Sequence, residues 1–255
     1  MWRGKSRGTT MRAKPMLVAL LMAMVGGVMT LPALAAETCP YTLNQNIYLT
    51  PDAVELQGKT TQLRISKEGE VSRNQQPLTL DLAARQQAFA LQQQLRRELP
   101  ALDKQAHQQL QQAQQGLDDV VIRQLGGNSK VRAQLRDLHA LLTARLDKIV
   151  VHQNGGLAIL ADALPAQQQE TERLVQQKLG EILQQGLQEL SSRQSEGDAA
   201  SQLKAMLAQV ASLRNALSAE WKNQEQGFRR LGSEACHTLG RLQQQQQKLE
   251  QLLPQ

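Results

Sequence analysis

Apolar positions along the chain fall into three textures. The first is an almost unbroken run from Met16 to Leu31. The second, from Asn46 to Leu80, consists of short alternating pieces such as Ile47-Tyr48-Leu49, Val54-Glu55-Leu56 and Leu63-Arg64-Ile65. Turn-forming groups separate them: Thr50-Pro51-Asp52, Gly58-Lys59 and Lys67-Glu68-Gly69. A period of two with such punctuation predicts four or five short antiparallel strands. Val71-Ser72 and Leu78-Thr79-Leu80 flank Arg73-Asn74-Gln75-Gln76, a hairpin connection in which Asn74 tolerates positive φ. A sheet this small needs a helix against one face.

The third texture fills the rest of the chain, with leucines stepping by three and four. Thr79 or Asp81 caps a predicted helix over 82–99, which Pro100 interrupts. Ala106, Leu110, Ala113, Leu117 and Leu125 mark the next, stopped by Gly126-Gly127. Val131, Leu135, Leu138, Leu142 and Ile149 mark a third, and Gly155-Gly156 with Pro165 brackets a link. A fourth runs from about Ala166 to Leu190, and Ser195-Glu196-Gly197-Asp198 forms a loop. The last carries Leu203, Leu207, Val210, Leu213, Leu217, Trp221, Phe228, Leu231, Leu242 and Leu249, with kinks expected at Gly227, Gly232 and Gly240. That spacing suits helices packed along their length, as a bundle or coiled coil, within one chain or between two. The expected fold is α+β, mostly α: a small N-terminal antiparallel β-meander over 36–80 followed by a bundle of long amphipathic helices over 81–255.

The first 35 residues read as an address. Arg12 and Lys14 precede the apolar run, which leads to Pro32 and to Ala33-Leu34-Ala35. Charged, apolar and small-residue segments in that order predict a secretory signal cleaved after Ala35. Met11 is an alternative start to Met1, since the ten residues before it add nothing that a signal needs. A retained anchor is the alternative, since residues 15–36 are long enough to cross a bilayer. Gly26-Gly27 and Pro32 break that run, and it ends in a cleavage sequence, so export to the periplasm without a lasting transmembrane span is expected. The leader also explains the charge. Of the formal +6, five bases and no acid belong to residues 1–35, leaving 24 bases against 23 acids in the remainder. A near-neutral working chain gives no case for nucleic acid, which requires clustered bases.

Forty glutamines against six aromatics set the composition apart. Gln92-Gln93-Gln94, Gln167-Gln168-Gln169 and Gln243–Gln247 alternate with leucine stripes, which makes them polar helix formers rather than an interaction tract. Cys39 and Cys236 form an even pair, and in an oxidising compartment an even pair predicts a disulfide. Cys236-His237 has no second ligand at zinc spacing, so no metal is expected.

Residues for chemistry are sparse. His107, His139, His152 and His237 are scattered, and no serine-hydrolase, zincin, dinucleotide or phosphate-loop motif is present, so no catalytic residue and no cofactor are assigned. Asp118 and Asp119 are adjacent, and neighbours on a helix point about 100° apart. Trp221 and Phe228, seven residues apart with Arg229 and Arg230 beside them, form a stripe that reads either as core or as an apolar protein-binding patch with a basic rim.

Several segments together are familiar: Ile47-Tyr48-Leu49-Thr50-Pro51-Asp52-Ala53-Val54-Glu55-Leu56, Gly69, Gln86-Gln87, Leu95-Arg96, Leu99-Pro100, Val120-Val121-Ile122, and Glu220-Trp221-Lys222-Asn223-Gln224-Glu225 before Phe228, Leu231-Gly232 and Cys236. The chain resembles the YggN family of signal-bearing envelope proteins of Gram-negative bacteria, a domain of unknown function, from about Cys39 to Cys236. The resemblance implies a periplasmic location, the strand-then-helix order and cysteines at both positions. It departs at Asn74-Gln75, where relatives read Asn-Gly, and it brings no activity. The leading expectation is a non-enzymatic adaptor or chaperone-like binder of other envelope proteins. A carboxylate-based envelope hydrolase and a purely structural spacer are the alternatives.

Overall fold

The computed structural model describes residues 39–192 and 199–254. The leader with Ala33 and Ala35, the loop Ser195–Asp198 and the side chain of Leu203 lie outside the described residues.

Strands β1 (Asn46–Leu49), β2 (Ala53–Gln57), β3 (Gln62–Ser66), β4 (Val71–Arg73) and β5 (Gln76–Pro77) form the expected meander. Alternation puts Ile47, Leu49, Val54, Leu56, Leu63, Ile65 and Val71 on one buried face. The other face is polar, with Glu55 and Arg64 paired across β2 and β3 at 2.9 Å. Pro77, which lacks an N–H, lies in the edge strand, where no ladder bond is lost. The β4–β5 connection is a two-residue turn, with Asn74 and Gln75 at φ of 50° and 68°, so the returning strand is Gln76–Pro77 and not the expected Leu78-Thr79-Leu80, which lies outside the sheet. The Asn74 side chain accepts from the Gln62 amide at 2.8 Å.

Helix α1 (Leu82–Leu125) begins at Asp81, whose carboxylate accepts from the Ala84 N–H at 2.7 Å. It runs through Pro100, which corrects the expected break. Proline removes one helical hydrogen bond, but Pro100 is on the exposed face. Leu95 and Leu99, just before it, are anchored in the core. Gly126, at φ 87°, closes the helix. Ser129 then starts α2 (Val131–Leu146), its hydroxyl accepting from Val131 N–H at 3.2 Å.

The segment after α2 departs from the helical reading. Ile149 is not part of a helix; β6 (Val150–Gln153) and β7 (Gly156–Ile159) form a hairpin around Asn154 and Gly155, both at positive φ. Asn-Gly between β-branched strands is the strongest short hairpin signal, and here it outweighs the leucine period. β7 pairs antiparallel with β1, Ile47 opposite Ile159 and Leu49 opposite Leu157. The meander thus becomes a seven-stranded sheet in the order β5-β4-β3-β2-β1-β7-β6.

After a short 3-10 turn (Ala161–Ala163) come α3 (Leu164–Ser192) and α4 (Ala199–Leu252). α4 is continuous over 54 residues, about 80 Å, so none of its glycines ends the helix. Gly227 and Gly240 instead allow close approach: a Cβ at either would strike the Gln109 side chain or the Tyr41 ring.

α1 and α4 run antiparallel and join two separate cores. In the first, Ala88, Leu91, Leu95 and Leu99 of α1 and Leu242, Leu249 and Leu253 from the C-terminal end pack on the sheet. Leu91 and Leu95 are 1% exposed, and truncating either to alanine would cost about 3 kcal/mol. In the second, Leu117, Val121 and Leu125 of α1 meet α2, α3 and the other part of α4 through Val131, Leu135, Ile182, Leu190 and Leu213. Leu99, the last α1 residue of the first core, and Leu117, the first of the second, are 18 positions apart, about 27 Å along the helix.

Candidate functional site

Between the cores the α1–α4 seam is polar. Gln105 donates to Glu234 at 3.2 Å, Gln109 to Gln224 at 3.2 Å, and Arg241 to Glu98 at 3.2 Å. Alongside the first core, Gln87 donates to the Gln245 carbonyl at 3.0 Å. Each amide offers both donor and acceptor, so glutamines facing each other can satisfy one another where leucines are missing. A subset of the glutamines read as solvated therefore holds the two long helices in register.

Cys39 and Cys236 are bonded. Pro40–Gln45 forms a strap over α4: Gln243 donates to the Thr42 carbonyl at 2.7 Å, and Gln45 donates to Gln246 at 2.6 Å. Beneath the strap is a cavity of ≈370 Å³ lined by Ile47, Leu56, Leu91, Leu95 and Leu242 and by an amide rim of Gln45, Gln243, Gln246 and Gln247. Its one ionisable lining group is Glu250, so it suits a neutral amphiphile better than an anion.

Trp221 is half-buried against the second core, and Phe228 is half-buried as well. Arg229 donates to the buried Glu225 carboxylate at 2.6 Å. Arg230 is exposed beside a shallow trough shared with Gln109, Gln112 and Leu231.

Two of the histidines read as scattered converge. His107 of α1 lies with Nδ1 3.0 Å from the Asp103 carbonyl oxygen and 3.2 Å from Asp103 Oδ1, while Nε2 is 3.3 Å from Asp147 Oδ1. His152 of β6 reaches the other oxygen of Asp103 at 3.1 Å. Burial lowers the His107 pKa, but the Asp103 carbonyl and carboxylate and the Asp147 carboxylate outweigh it and hold it above 6.5. Asp103 and His107, four apart on a helix, were legible as neighbours; Asp147 and His152 reach them only through the α2–β6 connection. Among the described residues the polar contacts of both imidazoles run to Asp103 and Asp147 alone, an arrangement that ties α1 to the sheet.

The adjacent acids part ways. Asp118 takes a two-pronged contact from Arg132, Nε to Oδ1 at 2.8 Å and Nη2 to Oδ2 at 2.9 Å, which holds its carboxyl below the usual range. Asp119 is exposed. Among the described residues no three His, Cys, Asp or Glu side chains converge as metal ligands, and no helix is long and apolar enough to cross a membrane.

No solved structure matches the chain. The proteins named "Uncharacterized protein YggN" from Escherichia coli K12, O6:H1 and O157:H7 are each 28% identical over 221 residues, covering 87% of this chain and 92% of theirs. The family model described as "Protein of unknown function (DUF2884)" matches residues 39–255, which include both cysteines and every strand and helix among the described residues. The chain belongs to the DUF2884 family.

Proposed function

We propose that this is an exported periplasmic protein that binds other proteins through its helical half, as an adaptor or holdase rather than an enzyme. The disulfide suits an oxidising compartment, and the leader has the order of a cleaved signal. One observation carries the binding role. On α4 the apolar stripe continues outward past Leu213, which is 3% exposed, to Leu207, which is 57% exposed. On α3 Leu187 is 39% exposed, one position past buried Gly186 and so on the flank of the buried Ile182–Gly186–Leu190 stripe. An amphipathic stripe that outruns its intramolecular neighbours offers leucines at helical spacing to a partner helix or an unfolded segment. Trp221, packed on the second core, is the less suitable contact.

A photoreactive residue placed at Leu207 in cells tests this, with exposed Gln169 as control. Reproducible adducts to other envelope proteins from Leu207 and none from Gln169 are expected. Adducts confined to the protein itself, together with a purified chain that does not slow aggregation of a denatured client, would overturn the reading.

A further inference from the structure

Leu82, Phe89 and Arg96 are spaced seven apart on α1, so they form one stripe about 21 Å long. Leu82 is 72% exposed and Phe89 41% exposed, although both begin a helix whose other face is fully packed. Phe89, Gln92, Gln93, Arg96 and Arg97 line an open groove of ≈520 Å³ with Lys67 of the β3–β4 turn, and no acid is among the lining residues.

The groove is built rather than incidental. At Gly69, φ 81°, a Cβ would lie 2.7 Å from the Arg85 carbonyl and 3.0 Å from Phe89 Cβ, so the turn carrying Lys67 presses directly on α1. Gln92, 3% exposed, donates to the Lys67 carbonyl at 3.4 Å and accepts from Arg96 Nε at 3.0 Å. That pins the guanidinium and the turn to one another. Arg96 Nη2 is itself buried and finds no protein acceptor, so Lys67 and Arg97 carry the exposed charge of the groove. The remaining charges are loosely engaged: Lys67 is 3.7 Å from Asp52 and Arg97 is 3.8 Å from Glu98, contacts that compete weakly with a ligand anion.

We propose that this face of α1, with Lys67, Arg96 and Arg97 around Phe89 and Leu82, docks the protein on an anionic lipid surface. Bases within a Debye length of such a surface are attracted to its headgroups, and exposed leucine and aromatic side chains enter the headgroup boundary. Together they supply the two signals that peripheral binding needs. The stripe belongs to the sheet end of the molecule and stands independently of the protein-binding role proposed for Leu207 and Leu187.

Co-sedimentation of the purified disulfide-bonded protein with vesicles tests it. Binding is expected to equimolar phosphatidylglycerol and phosphatidylcholine and not to phosphatidylcholine alone, and it weakens with added salt. Replacing Lys67, Arg96 and Arg97 together with glutamine should weaken it on the order of a hundredfold. Phe89→Ser or Leu82→Ser should weaken it about tenfold. The pair Lys67→Gln and Arg97→Gln leaves the Gln92–Arg96 contact intact and should still cost more than tenfold. Arg173→Gln with Arg214→Gln, which removes two exposed bases elsewhere, should change nothing. No binding, equal binding to both vesicles, or wild-type binding by the charge variants would overturn the proposal. Binding that ignores Leu82 and Phe89 and is competed by polyglutamate would also overturn it, in favour of an acidic protein partner.

Discussion

His107 and Asp147 lie 3.3 Å apart across 40 residues of chain, and the contact joins the middle of α1 to the end of α2 where β6 begins. Both imidazole nitrogens face oxygen, so the protonated ring fits this place better than the neutral one. The pKa of His107 is raised on folding, so its stabilising contribution is complete below about 6.5 and is lost as pH rises through the higher folded value. The side chain is 34% exposed, and after solvent screening the effect is about 0.5 kcal/mol. Urea midpoints measured from pH 5.5 to pH 8.5 should therefore fall more steeply for the native chain than for His107→Gln. Parallel profiles would show that the contact contributes nothing.

Arg132 and Asp118 act on the acid side. Asp118 titrates below its usual range, so this contribution is present above about pH 4 and is lost as pH falls through the folded value. Arg132→Lys keeps the charge but loses the two-pronged geometry and the bond from Nη1 to the Gly127 carbonyl at 2.6 Å. It should lower the thermal midpoint at pH 7, less than Arg132→Gln does, and the difference from the native protein should shrink below pH 4. A lysine variant as stable as the native chain would reduce the pair to a simple charge contact.

Gln75 holds φ 68° in the β4–β5 turn, a conformation that glycine adopts without strain. Gln75→Gly should stabilise the protein by about 0.5–1 kcal/mol, visible as a rise of about 2 °C in Tm. A fall in Tm would mean that the Gln75 side chain contributes more than its backbone costs.

The Cys39–Cys236 bridge spans a sequence separation of 197 residues. In the chain-entropy account such a loop constrains the unfolded state by at most about 5 kcal/mol. Replacing both cysteines with serine should cost about 2–5 kcal/mol and loosen the strap, which then rests on the Gln243–Thr42 and Gln45–Gln246 contacts, Leu43 against the first core and the Tyr41 ring against Gly240. Protease cleavage between Cys39 and Asn46 in the serine variant, absent from the oxidised protein, is the readout. Equal resistance would show that the strap holds without the bridge.

Local signals in the chain were reliable where backbone chemistry alone decides. The alternation in 46–73 produced strands, though Leu78–Leu80 did not become one; Asp81 and Ser129 started helices, and Gly126 ended one. Two local signals were outweighed. Pro100 did not break α1, because side chains on both sides of it are committed to two different cores. The leucine period through Ile149 lost to the Asn154-Gly155 turn, which is a local signal in its own right. The His107 cluster was half legible, as the Asp103–His107 spacing, while its partners come from elements that only the fold brings near.

The amino-acid sequence by itself determined the class of the protein: a strand segment, then long amphipathic helices, two cysteines, and a composition poor in catalytic motifs. These follow from period, turn residues and counting, which act over a few residues. The tertiary structure alone decided that β7 completes the sheet beside β1, that glutamines bridge the α1–α4 seam, and that Trp221 is packed while Leu82, Phe89 and Leu207 are exposed. An apolar residue on a helical stripe is covered only if another element reaches it. That depends on how far each helix outruns its neighbours, which no local pattern records.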